Sequence, residues 1–138
     1  MQADARTIQG TVADALAPLA GSPVRLTGAS RTDAGVHALG QVASFAVDTP
    51  LRPDVVQSAL NATLPRDVRV LGARAVPPGF DARRSARLKR YGYLIARGPV
   101  APPFLRGYAW QVPRPLDLAG MAAALSFLRG KRDFSAFQ

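Results

Sequence analysis

The chain has 138 residues, 48% of them hydrophobic, which is enough for a packed core and excludes a peptide hormone or a stapled mini-protein. The absence of Cys excludes a disulfide framework and thiolate chemistry, the single His37 argues against a histidine-rich metal site, and no run of about 18 apolar residues offers a membrane span. Charge is lopsided: 18 Lys+Arg, of which 16 are Arg, face 9 Asp and no Glu, and the net charge of +9 favours a polyanionic partner such as nucleic acid.

Met1-Gln2-Ala3-Asp4 lacks the layout of a signal peptide, so the expected setting is cytoplasmic. Ile8, Val12, Leu16 and Leu19 recur at helical spacing and predict a helix from about Arg6 to Leu19, closed by Ala20-Gly21 and Pro23. Val24 to Ala29 reads as a short strand, Ser30 to His37 as a polar turn, and Gln41 to Val47 as a second strand. A second helix begins at Pro53, where proline is tolerated, and stops at Asn61-Ala62-Thr63-Leu64-Pro65. Val68, Val70, Leu71 and Val76 suggest a further strand. Composition then shifts at Pro77-Pro78-Gly79, a break that separates residues 1–77 from a remainder, 78–138, which opens with an arginine-rich stretch from Phe80 to Arg97. In that remainder Tyr91, Tyr93 and Ile95 alternate like a strand, as does Tyr108 to Val112. A last helix is expected over about Leu118 to Leu128, with Asp117 as N-cap and Gly130 as stop. Strands and helices mix without regular βα alternation, which predicts an α+β fold.

Two clusters could carry chemistry. In Arg31-Thr32-Asp33-Ala34-Gly35-Val36-His37-Ala38, Asp33 sits in a tight glycine-containing loop close to Arg31. A nearby guanidinium favours the ionised carboxylate, which can act as nucleophile or base when aimed into a cleft. An Asx-turn with Gly35 at positive φ accounts for the same residues without any chemistry. In the second cluster Arg83, Arg84, Arg87, Lys89, Arg90 and Arg97 face a lone acid, Asp81. Cations interleaved with tyrosines suit phosphate contact and base stacking, whereas a solvated basic edge strand needs no ligand.

The Arg31–Ala38 block, followed by Gly40-Gln41-Val42, resembles the signature of the TruA family of tRNA pseudouridine synthases. The resemblance extends along the chain in the family's order. Ile8-Gln9-Gly10 is similar to its first helix start, and Leu60-Asn61-Ala62 with Leu64-Pro65 and Asp67 to its Leu-Asn-Ala…Leu-Pro…Asp. Phe80…Ala82-Arg83…Ser85-Ala86, Arg90-Tyr91…Tyr93 and Asp133-Phe134…Phe137 match later blocks.

What this resemblance implies is a cofactor-free, metal-free isomerase that converts uridine to pseudouridine in the tRNA anticodon stem-loop. It implies a pseudouridine synthase fold, mainly an antiparallel mixed sheet with helices packed on one face. By the same resemblance Asp33 is the catalytic aspartate and Arg31 pairs with it or takes the space of the flipped nucleotide. Tyr91 packs on the target base, and Arg83, Arg84, Arg87, Lys89 and Arg90 track the RNA. Family members form homodimers. Ser30, Asp81, Arg84 and Gly92 stand where the family commonly has Gly, His, an aromatic residue and Arg. The family's opening strand would precede Met1, with Gln2 as its remnant, and further strands would follow Gln138. The fold is therefore expected to be incomplete here: most of a first half in 1–77, and the start of a second in 78–138. The competing expectation is a catalytically impaired homologue that acts at most as an RNA-binding module.

Overall fold

The computed structural model describes residues 6–137. Met1 to Asp4, the Gln2 remnant, the Phe137 side chain and Gln138 of the closing motif lie outside what is described. The described elements are a mixed α+β set: α1 (Ile8–Ala20), β1 (Thr27–Gly28), β2 (Ala43–Ser44), α2 (Pro53–Thr63), β3 (Ile95–Arg97), β4 (Trp110–Val112) and α3 (Leu118–Ser126), with 3-10 turns at Pro103–Leu105 and Ser135–Phe137. They divide into two compact units, Met1–Arg90 and Tyr91–Gln138, and the Pro77-Pro78-Gly79 break lies inside the first.

In the first unit α1 starts where Thr7, in extended conformation, accepts the Gly10 N–H through Oγ1 at 3.0 Å. That bond satisfies one of the donors every helix start leaves open. The helix ends at Gly21, whose φ of 67° is left-handed and therefore suits glycine. α2 begins at Pro53 and turns Val56 and Leu60 inward. Leu16, Leu26, Val56, Leu60, Leu64 and Val68 form the core, and Val12, Leu19, Val24, Phe45 and Val70 pack around it. Leu16 is fully excluded from solvent. Gln9 crosses from α1 and donates through Nε2 to the Leu26 carbonyl at 2.8 Å, which fixes the approach to β1.

Both strands of this unit are shorter than their apolar runs. The antiparallel ladder pairs Thr27 with Ser44 and Gly28 with Ala43, and one further bond joins the Ala29 N–H to the Val42 carbonyl at 2.8 Å. The strand expected from Val68 onward does not form. Val70 has both main-chain groups taken by one side chain: Asn61 Nδ2 donates to its carbonyl, and Asn61 Oδ1 accepts its N–H, each at 2.8 Å. Gln57 Nε2 adds a second donor to that carbonyl at 3.2 Å. Arg6 Nη2 reaches Asp67 at 2.9 Å and holds that exposed carboxyl below its usual range.

The second unit has a parallel ladder in which Ile95, Ala96 and Arg97 pair with Trp110, Gln111 and Val112. The strand thus begins later than the tyrosine alternation suggests, because β4 reaches only this far. One more rung joins the Trp110 N–H to the Leu94 carbonyl. α3 is capped by Asp117, whose Oδ1 accepts the Gly120 N–H at 2.9 Å, as its sequence predicts. No described residue of this unit is buried.

Candidate active site and nucleic-acid interface

Asp33 is carried on the loop between β1 and β2, and the loop is closed in three steps. The Ala29–Val42 rung sets its base. Above it, Gln41 Nε2 donates to the Ser30 carbonyl at 3.0 Å, so a side chain supplies what a further rung would. At the tip the Val36 N–H returns to the Asp33 carbonyl at 3.1 Å, with Gly35 at φ 80°. A positive φ at that corner is what a type II turn requires, and glycine adopts it without steric cost.

The turn uses the main chain of Asp33 and leaves its side chain alone. Among the described residues the Asp33 carboxylate has no hydrogen bond and no ion pair, so the Asx-turn is not formed. Arg31 shares the loop and makes no ion pair with Asp33. Every residue from Arg31 to Gly40 is exposed. The loop therefore presents an uncommitted carboxylate on a backbone tied at base and tip.

The arginine-rich stretch starts as an ordered turn. Asp81 Oδ1 accepts the N–H groups of Arg83 at 2.9 Å and Arg84 at 2.8 Å, and its own carbonyl accepts the Ser85 N–H at 2.8 Å. These donors, that of Arg84 first, hold the Asp81 carboxyl below its usual range. Ala82, at the turn's inner corner, is 2% exposed, and its N–H donates to Ser44 Oγ on β2 at 3.0 Å. Arg87, Lys89 and Arg90 follow on an exposed segment without a ladder.

Arg83, Arg84 and Asp81 line an open groove of about 620 Å3 together with Gln9, Asp14, Arg25 and Thr27. Sequence reading missed Arg25. It stands far from the arginine run in sequence, and the fold brings both to the same groove. Tyr91 opens the second unit with its ring exposed. Among the described residues no three His, Cys, Asp or Glu side chains group as metal ligands, and no helix is long and apolar enough to cross a membrane.

Residues 1–83, which include this loop and the start of the arginine turn, match the family model described as tRNA pseudouridine synthase. The chain belongs to that family. Its relatives agree. It is 46% identical over 136 residues to a tRNA pseudouridine synthase A of Methylacidiphilum infernorum, covering 99% of this chain and 53% of the relative. It is 49% identical over 136 residues to that of Frankia casuarinae, covering 96% and 49%. With the enzyme of Thermoanaerobacter sp. the identity is 43% over 137 residues, covering 99% and 56%. The chain thus spans about half the length of the curated relatives it matches. Within the family frame, several motif residues hold the scaffold: Leu60 and Leu64 lie in the core, Asn61 clamps Val70, and Asp67 pairs with Arg6.

Proposed function

We propose that this chain is a tRNA pseudouridine synthase acting on uridine in the anticodon stem-loop, with Asp33 as its catalytic aspartate. One observation carries the reading: in a chain of this family, the Asp33 carboxylate has no partner among the described residues and stands on an exposed loop tied at its base and tip. In the reaction the C1′–N1 bond of uridine breaks, the uracil turns, and C1′ joins C5. The C5 proton leaves and N1 gains one, so no redox partner or cofactor is needed. An ionised aspartate supplies the nucleophile or base that starts this exchange. Arg31, on the same loop, is its partner or takes the space of the displaced nucleotide once RNA is bound.

The target base must leave its stack, at a cost of a few kcal/mol that is smallest in a loop. Tyr91 receives the flipped base by stacking, and Arg83, Arg84, Arg87, Lys89 and Arg90 neutralise backbone phosphates. Affinity then falls as salt rises. The same reading carries a cytoplasmic setting and a homodimeric assembly, the latter supported by the exposed apolar side chains of residues 91–134.

The test uses tRNA tritiated at uridine C5, because isomerisation releases the label to water. The expected result is release by the wild-type chain, and at least roughly 1000-fold less from Asp33→Ala with RNA binding retained. Salt-sensitive RNA binding without any release would leave an RNA-binding module in place of the enzyme. The lack of a buried residue among the described residues of the unit that carries Tyr91 favours that second reading.

A further inference from the structure

The loop that carries Asp33 and the turn that carries Arg83 and Arg84 lie far apart in sequence, yet one hydrogen bond joins their supports. The turn is otherwise self-contained. Of its four successive N–H groups, those of Arg83, Arg84 and Ser85 are satisfied by Asp81, and only that of Ala82 leaves the turn. It goes to Ser44 Oγ at 3.0 Å, across 38 positions of sequence. Ala82 is 2% exposed, so its N–H loses its one protein partner in a largely desolvated position if the hydroxyl is removed.

Ser44 is equally well placed on its own side. It is the β2 residue paired with Thr27 of β1, and Thr27 lines the groove that Arg83 and Arg84 also line. Just before that strand, Gln41 holds the neck of the Asp33 loop through Ser30. A turn closed on itself by Asp81 and anchored through the Ala82 N–H to the hairpin of the reactive carboxylate has the backbone that carries Arg83 and Arg84 tied to that hairpin.

We infer that Ser44 is a positioning residue that sets the Arg83–Arg84 turn in register with the Asp33 loop, so that phosphates held by the turn present the target uridine to the carboxylate. The inference rests on the proposed function and adds to it a residue that touches neither RNA nor the reacting atoms. Loss of the Ser44 hydroxyl frees the turn to shift against the hairpin. The arginines keep their charge but lose their register, so substrate capture suffers while the chemical step on a captured uridine proceeds.

The experiment is steady-state tritium release by the full chain on an anticodon-arm RNA, comparing wild type, Ser44→Ala and Ser44→Thr. Ser44→Ala is expected to raise KM roughly 3- to 10-fold and leave kcat within about twofold. Ser44→Thr, which keeps the acceptor, is expected to restore KM. Amide exchange at Ala82 should quicken in Ser44→Ala while exchange at Leu16 and Leu60 stays slow, which separates a local release from unfolding. Should Ser44→Ala unfold, Ser44→Cys carries the same comparison with a similar shape and a weak acceptor. An unchanged KM in Ser44→Ala, a loss confined to kcat, or a Ser44→Thr variant as impaired as Ser44→Ala overturns the inference and leaves the proposed function standing. A wild-type chain that neither releases tritium nor binds RNA overturns both.

Discussion

The two units have similar equipment and different interiors. Each has a helix capped by a side-chain oxygen that bonds a glycine N–H three positions on, Thr7 to Gly10 in one and Asp117 to Gly120 in the other. Each has one two-stranded ladder. Yet the first unit closes around Leu16, Leu26, Val56, Leu60, Leu64 and Val68, whereas the second leaves Phe104, Trp110, Leu118, Leu125 and Phe127 exposed. Caps and ladders decide where an element starts and stops, and burial decides whether the elements hold together. A lone helix as short as α3 gains little without a packed face. The difference also sorts the functional residues: the Asp33 loop is mounted on the packed unit, and Tyr91 belongs to the unpacked one.

The widest gap between the units should appear on truncating a leucine in each. Leu16→Ala removes a fully buried side chain and is expected to cost about 2–5 kcal/mol of stability. Leu125→Ala in α3 is expected to change it by less than about 0.5 kcal/mol, because that side chain is 60% exposed. Denaturant midpoints measure both, and equal losses would erase the contrast drawn above.

A smaller difference is expected for amides that bond the main chain. Asn61→Ala strips Val70 of its N–H partner and one partner of its carbonyl, at about 1–3 kcal/mol. Gln111 makes a single exposed bond to the Pro99 carbonyl, so Gln111→Ala is expected to cost under about 0.5 kcal/mol in the same measurement.

The smallest effect is on acid response. Asp67 and Asp81 in the first unit and Asp133 in the second are all held below the ordinary carboxyl value of 3.8, by Arg6, by the Arg84 and Arg83 N–H groups, and by Ser135. A depressed folded value means that each contribution is present above pH 3.8 and fades as pH falls through the lower folded value. Asp67 and Asp133 are exposed and Asp81 is half-buried at the surface, so the change in global stability should be slight. Carboxyl chemical shifts followed by pH should show midpoints below that of a free aspartate. A midpoint for Asp81 at or above 3.8 would mean that the arginine turn is not held as described.

Local signals in the sequence were read well because their causes are local. Pro53 and Asp117 opened helices where proline and an acceptor belong, and Gly35 marked a turn that needs positive φ. The loop bearing Asp33 was legible for the same reason, and so was the family. Other features depended on partners distant in the chain. The apolar run at Val68–Val70 reads the same whether a strand or an asparagine satisfies its backbone. The leucines of Leu118–Leu128 signal a demand for burial and say nothing of whether a neighbour supplies it. Arg25 in the groove and the Ser44–Ala82 bond arise from packing, which no spacing along the chain encodes.

Asn61 bears on one more property of the first unit. By accepting and donating at Val70, its amide acts as a strand one residue long. An extended apolar segment with open backbone groups is a template on which a second chain can add a strand, and such edges are where soluble proteins begin to aggregate. The clamp closes that template at Val70 with a single side chain. Asn61 thereby leaves one residue fewer with open backbone groups on the scaffold that carries the Asp33 loop.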